Sequence, residues 1–174
     1  EAPFCVTRPE DFEKTVSLTK QAFLKAGLDQ AWKRVVAVVV QPGVEFGDCS
    51  VHEYDSKRAQ KLSQALQKYD NLVFEGHSTD YQQAAQLREM VKDGVAILKV
   101  GPELTFAYRE ALFLLEHLEQ ELLSFGDSPL SNLSEVMEEV MLAEPDNWRS
   151  YYQGSEAELR FTPKYSLSDR IGYN

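Results

Sequence analysis

The sequence predicts a parallel α/β fold, and three observations carry that prediction. Residues 35–40 (Val35-Val36-Ala37-Val38-Val39-Val40), 72–75 (Leu72-Val73-Phe74-Glu75) and 95–100 (Val95-Ala96-Ile97-Leu98-Lys99-Val100) are short apolar runs without polar alternation. That is the pattern of strands buried on both faces of a parallel sheet. Each run leads into polar residues and glycine: Gln41-Pro42-Gly43-Val44-Glu45, Glu75-Gly76-His77-Ser78-Thr79-Asp80-Tyr81, and Gly101-Pro102. Stretches of helical periodicity separate the runs, and the order β-α-β-α-β with short turns favours right-handed parallel crossovers over antiparallel pairing. Ligand-facing groups collect at the C-terminal ends of such strands, so the three segments read as strands aimed at one polar mouth.

The elements follow in order. Thr7-Arg8-Pro9-Glu10 has the form of a capping box, and Phe12, Val16, Thr19 and Phe23 continue at helical spacing until Gly27. Pro42 and Gly43 end the first strand. A helix over 56–69 presents Ala59, Leu62, Leu66 and Tyr69 on one face, and Asp70-Asn71 turns the chain into the second strand. Asp80 reads as the N-cap of a helix carrying Leu87, Met90 and Val91, closed by Asp93-Gly94. A long helix over 104–123 is expected to turn Ala107, Ala111, Leu114, Leu115, Leu118 and Leu122 inward. Another over 131–142 carries Leu133, Val136, Met137, Val140 and Met141. From Pro145 the chain is aromatic (Trp148, Tyr151, Tyr152, Phe161, Tyr165, Tyr173) and reads as irregular. The organisation is one segment, with βα units over 1–123 and a helix plus aromatic tail over 124–174.

Composition sets the broad class. The chain has 174 residues, 43% hydrophobic and 26% charged, as in an ordinary globular domain. A formal net charge of -10 is not that of a nucleic-acid surface or a polybasic membrane anchor, so neither partner is expected. No apolar run approaches the roughly 20 residues of a membrane span. The start, Glu1-Ala2-Pro3-Phe4-Cys5, has neither a basic n-region nor an apolar h-region. The two cysteines, Cys5 and Cys49, form neither a disulfide framework nor a zinc motif, which reads as reduced thiols in a cytoplasmic protein. Three strands of this kind would leave both sheet edges open. Since the first residue is not Met, the chain reads as part of a longer polypeptide.

Glu45, Glu75, His77, Ser78, Asp80 and Lys99 are the polar groups placed at or near the strand ends. Glu75 and His77 alternate by two and would point the same way on a continuing strand. A carboxylate beside an imidazole can move a proton or orient a metal ligand, and it can equally be a buried structural pair. A lysine such as Lys99, buried in an apolar strand, can form a Schiff base with a carbonyl substrate; the alternatives are a phosphate contact or an ion pair with Glu75 or Glu103. Backbone N–H groups around Ser78-Thr79-Asp80 and Gly101-Pro102 could hold a phosphate, although Asp80 and Glu103 also suit ordinary helix N-termini. A catalytic zinc needs about three protein ligands. His52 and His117, the other histidines, have no partner at ligand spacing, so no metal ligand is assigned. Arg109-Glu110 reads as a solvated pair, and Asp169-Arg170 is too common a pair to carry an argument.

Six ordered blocks extend over nearly the whole chain: Val40-Gln41-Pro42-Gly43-Val44-Glu45-Phe46, Glu75-Gly76-His77-Ser78-Thr79-Asp80-Tyr81, Ala96-Ile97-Leu98-Lys99-Val100-Gly101-Pro102, Leu104-Thr105-Phe106-Ala107-Tyr108-Arg109-Glu110-Ala111, Glu138-Glu139-Val140-Met141-Leu142, and Tyr165-Ser166-Leu167-Ser168-Asp169-Arg170. Together they resemble the non-catalytic (Z-type) subunit family of the class II D-tagatose-1,6-bisphosphate aldolase. The resemblance implies a (β/α)8 TIM-type barrel more than twice this length, of which this chain is the C-terminal part: the last three strands and the helices that follow. It implies an accessory subunit that supports the activity and stability of a separate catalytic aldolase subunit in tagatose 6-phosphate and galactitol catabolism. On that reading zinc sits in the catalytic partner and this chain carries no cofactor; a bound sugar phosphate and a homo-oligomer are both compatible with it. The family has also carried the label tagatose-6-phosphate kinase, but no GxxxxGK[ST] motif or kinase-type Gly-rich loop occurs here. The rival reading is an enzyme in its own right acting on a phosphorylated ketose through Lys99 or the Glu75–His77 pair.

Overall fold

The three apolar runs do form one parallel sheet in the computed structural model, which describes residues 5–173. Residues 1–4, on which part of the leader reading rests, lie outside the described residues. Along the chain run α1 (Pro9–Lys25), α2 (Asp29–Trp32), β1 (Ala37–Val40), β2 (Glu45–Phe46), β3 (Val51–His52), α3 (Ser56–Leu66), β4 (Val73–Gly76), α4 (Ala84–Lys92), β5 (Val95–Leu98), α5 (Pro102–Leu123), α6 (Leu133–Ala143) and α7 (Glu156–Tyr165). They group into two compact units. The first takes the described residues up to Phe46 together with Val51–Val100; the second takes Gly47–Ser50 and the described residues from Gly101 onward.

In the first unit the strand order is β1-β4-β5, with β4 central and both pairings parallel. Val39, Glu75 and Ile97 stand in one cross-strand row, and Val40, Gly76 and Leu98 in the next. The β4–β5 register shifts between Phe74 and Glu75: Phe74 faces Val95 and Glu75 faces Ile97, so Ala96 is an extra residue. A bulge of this kind increases local twist and re-aims the side chains beyond it. Phe12 and Val16 of α1, Ala59 and Leu62 of α3 and Met90 of α4 pack with Val40, Leu72, Phe74 and Val95. Phe12 stands edge-on to Phe74 and Tyr69, at centroid distances of 5.1 and 5.5 Å. Burial is complete on this side only. Val39 and Ile97, on the face shared with Glu75, are exposed, so the expectation of strands buried on both faces holds for one face among the described residues.

Several local expectations are corrected by competing tertiary bonds. Thr7 does not cap α1: its N–H donates to Gln41 O (2.9 Å) and its Oγ1 accepts from Gln41 N–H (2.8 Å), while Arg8 is the N-cap and Pro9 opens the helix. The helix expected over 56–69 ends at Leu66, and Asp55 caps it by accepting from Lys57 N–H (2.9 Å). Asp80 is buried and is not a cap, because α4 begins four residues later with Gln83 as its N-cap. An antiparallel ribbon, β2–β3, pairs Glu45 with His52 and Phe46 with Val51. Its strands are two residues long, too short for a periodicity signal.

In the second unit the expected inward stripe of α5 is reversed. Leu114, Leu115, Leu118 and Leu122 are exposed, whereas Arg109 and Glu116 are the buried residues of the helix. Both are buried because both are paired. Arg109 Nε donates to Asp169 Oδ1 (2.9 Å), Nη2 lies 2.7 Å from the same oxygen, and Nη1 donates to Lys164 O; the Arg109 and Asp169 side chains are 3% and 0% exposed. Glu116 Oε1 accepts from Ser134 N–H (3.0 Å) and Oγ (3.2 Å), satisfying the first turn of α6, whose N-cap Asn132 offers no side-chain bond. The region read as irregular contains α7, opened by a capping box in which Ser155 and Glu158 bond reciprocally. Trp148, the centre of a small cluster with Met141 and Tyr152, donates its indole N–H to Met141 O (2.6 Å). No described helix is long and apolar enough to cross a membrane.

Two stability predictions follow from buried polar groups. Asp169→Ala strands the Arg109 guanidinium and should lower unfolding stability by about 3–5 kcal/mol, read by chemical denaturation of the full-length protein. Tyr54 is buried and donates to Asp93 Oδ2 (2.8 Å); burial first, and the Asp93 carboxylate second, push its phenol well above the ordinary range. The folded state thus favours the neutral phenol. Its contribution is fully present below about pH 10 and is lost as pH rises through the raised value. Denaturation curves above pH 10 should lose stability with a slope that Tyr54→Phe removes.

Candidate functional site

The site is built on the C-terminal end of the central strand. Gly76 stands in a crowded place there: a Cβ would sit 2.9 Å from Val95 Cγ1 and 3.3 Å from both Pro42 Cγ and Thr79 Cγ2, so that a larger residue would make its neighbours shift. That crowding lies on the helix side of β4, and the neighbouring residues Glu75 and His77 project together on the other side. His77 Nε2 donates to Glu75 Oε1 at 2.9 Å, with both side chains 29% exposed. A carboxylate only accepts, so this contact puts the neutral ring's proton on Nε2 and leaves Nδ1 as a base. The partial exposure matters. The pair is oriented, yet not sealed from a ligand by the described residues.

The loop beyond His77 is held in an unusual path. Ser78 and Tyr81 take positive φ values of 57° and 62°, a conformation that costs a non-glycine residue about 1 kcal/mol or more. Thr79 holds the turn to the end of β5, its Oγ1 donating to Lys99 O (2.9 Å), while Lys99 N–H donates to Gly76 O (3.0 Å). The Tyr81 ring stands edge-on to Phe46 of β2 with centroids 5.3 Å apart. Buried Gln82 accepts from Tyr54 N–H (2.9 Å) and donates to His52 O (3.0 Å).

Of the residues picked out by sequence, Glu75, His77 and Ser78 are brought together at the β4 end, with the Lys99 backbone beside them. The Lys99 side chain is exposed among the described residues, so the buried surroundings that favour Schiff-base chemistry are not supplied by this chain alone. Glu45 is exposed on β2, where its Oε1 accepts from Phe46 N–H (3.1 Å). Asp80 is buried within the turn. Gly101 belongs to the second unit as the N-cap of α5. Among the described residues no three His, Cys, Asp or Glu side chains converge as a metal site. The reading of Arg109 as half of a solvated pair is corrected, since it is buried on Asp169, a residue that gave no signal of its own. The roles of the Thr79 and Gln82 side chains likewise rest on long-range bonds that leave no local spacing.

The close approach at Gly76 yields a direct prediction. Gly76→Ala should destabilise the protein by about 1–3 kcal/mol through overpacking against Val95, measured by chemical denaturation.

Comparison with known proteins places this geometry in a family. A family model described as "D-tagatose-1,6-bisphosphate aldolase subunit GatZ/KbaZ-like" matches residues 1–174. A curated relative, the D-tagatose 6-phosphate 4-epimerase of Agrobacterium fabrum (strain C58 / ATCC 33970), is 48% identical over 168 residues, covering 96% of this chain and 39% of the relative. A crystal structure of a probable tagatose 6 phosphate kinase from Sinorhizobium meliloti 1021 superposes with a TM-score of 0.91 at 51% identity, over 97% of this chain and 43% of that one. The chain therefore spans about two-fifths of the length of these relatives. With its whole length matched, the chain belongs to the D-tagatose-1,6-bisphosphate aldolase subunit GatZ/KbaZ-like family.

Proposed function

We propose that this chain is the C-terminal part of a (β/α)8 TIM-type barrel acting on ketohexose phosphates of the tagatose 6-phosphate class, with Glu75 and His77 as its proton-transfer pair. The observation that carries the reading is the 2.9 Å Glu75–His77 contact at the end of a parallel strand paired on both edges, with both side chains partly exposed. Barrel enzymes keep their reacting groups at such strand ends. The barrel itself is supported by the parallel order β1-β4-β5, and by a face bearing Val39, Glu75 and Ile97 that is suited to closure by further strands.

One bond links the relative's name, a 4-epimerase, with the family's description as an aldolase subunit. In a 2-ketohexose the carbonyl at C2 activates the C3–C4 bond. A base takes the proton of the C4 hydroxyl, the C3–C4 electron pair moves onto the C2 carbonyl to give an enediolate at C2–C3, and C4 becomes the aldehyde of a triose phosphate. If the aldehyde turns and the enediolate adds to its other face, the bond re-forms, the proton returns to oxygen and C4 is inverted. Nothing is oxidised or reduced overall. His77 Nδ1 suits the base, and Glu75 holds the ring in place. Lys99 and the N–H groups around Ser78 suit the anionic ends of such a substrate, Lys99 as a mobile cation and the turn as a phosphate contact.

A second reading is favoured by the family's description as a subunit: a non-catalytic cytoplasmic partner that stabilises a zinc-dependent aldolase subunit. One experiment separates them. Full-length protein, alone, should convert D-tagatose 6-phosphate to its C4 epimer, D-fructose 6-phosphate. His77→Asn should lower kcat by about 10²–10⁴-fold, the range for a lost general base. Silence alone, with a gain in the rate or lifetime of an added catalytic aldolase subunit, would establish the accessory role instead.

A further inference from the structure

We propose that Thr79 and Gln82 are positioning residues, which hold the turn after β4 in its left-handed path and so set the direction of the His77 imidazole. This inference rests on the reading of His77 as the reacting base, but its physical content can be tested apart from that reading.

The turn is a short segment with two non-glycine residues at positive φ, Ser78 and Tyr81. Left to local preference, each would relax toward negative φ. Because the segment is tied at both ends, relaxation at Ser78 would have to be taken up by its neighbours, His77 among them, and would so turn the ring. The path is held in part by a backbone bond, Thr79 N–H to Lys99 O (3.4 Å), and by the Tyr81–Phe46 ring contact; to these the described residues add two side-chain clamps on either side of Asp80. Thr79 Oγ1 donates to Lys99 O (2.9 Å), fixing the start of the turn to β5. Gln82 uses both ends of its amide on backbone groups of the segment after β3, accepting from Tyr54 N–H and donating to His52 O. Both residues are buried, and neither bond is made to a neighbour in sequence. A left-handed residue beside a reacting group, enforced by distant partners, is the arrangement in which strain at a site is maintained by its surroundings. Neither Thr79 nor Gln82 points a free polar atom toward the Glu75–His77 pair in these contacts, so their effect on it is indirect.

The test uses the full-length protein and three variants. Thr79→Val keeps the shape and removes the hydroxyl bond, leaving the backbone N–H on Lys99 O; Thr79→Ser keeps the hydroxyl; Gln82→Met removes both amide bonds at similar volume. Two quantities are read: the imidazole NMR signals of His77, assigned with His77→Asn, and kcat and KM on D-tagatose 6-phosphate. Expected is a displaced His77 imidazole signal in Thr79→Val and Gln82→Met, with kcat reduced at least about tenfold and KM within about threefold, and values near wild type in Thr79→Ser. If Gln82→Met does not fold, the Thr79 pair decides. His77 signals unchanged in Thr79→Val would overturn the proposal, whatever its activity. Should the wild type show no turnover, the catalytic reading fails while the His77 signals still decide whether the clamps position the ring.

Discussion

Everything at the site depends on the central position of β4. Among the described residues its backbone is hydrogen-bonded on both edges, to β1 and to β5, which fixes the strand that carries Glu75. On one side Phe74 and Val95 anchor it against α1, α3 and α4. The crowding around Gly76 shows how tightly its end is held. With the backbone fixed in this way, alternation along the strand does the rest: the residue that packs is followed by the residue that projects, and Glu75 meets His77 across Gly76. The bulge opposite Phe74 and Glu75 then sets the twist at which the pair is presented.

Rigidity of the strand is continued into the turn by different means. Past Gly76 the backbone keeps only the bonds of Lys99 N–H to Gly76 O and Thr79 N–H to Lys99 O among those described, and the path through Ser78 and Tyr81 is further held by the Thr79 hydroxyl, Gln82 and the Tyr81–Phe46 ring contact. The β2–β3 ribbon, which brings Phe46 and His52 to this segment, is therefore part of the support of the site as well as the bearer of Glu45. The second unit is organised by charge as much as by apolar packing. Arg109 with Asp169, and Glu116 with the start of α6, occupy places that a hydrophobic pattern would give to leucine. A buried ion pair of this kind tolerates the loss of neither partner.

The parts legible in the sequence were those with a repeating or compositional signal. Apolar runs without alternation located all three strands of the parallel sheet, and a spacing of two was enough to place Glu75 and His77 on one side of β4. The parts that were not legible are non-local. Two-residue strands carry no period, so β2 and β3 were passed over. Asp80 looked like a helix cap because the burial of the turn by Gln82 and Tyr54 cannot be read from neighbouring residues. On α5 the leucine stripe gave the direction of burial wrongly, since the pairing of Arg109 with a residue sixty positions away decides which face turns in. For α7 the sequence does carry a local signal, since Ser155 and Glu158 spell its capping box, although the aromatic composition around it points to irregular structure.

The proposed chemistry is tested most directly by following full-length protein and D-tagatose 6-phosphate in D2O by NMR. Cleavage and re-formation of the C3–C4 bond inverts C4 without breaking the C4–H bond. The account predicts conversion to the C4 epimer with hydrogen, not deuterium, retained at C4. Deuterium appearing at C4, or no conversion by the protein alone, would contradict it.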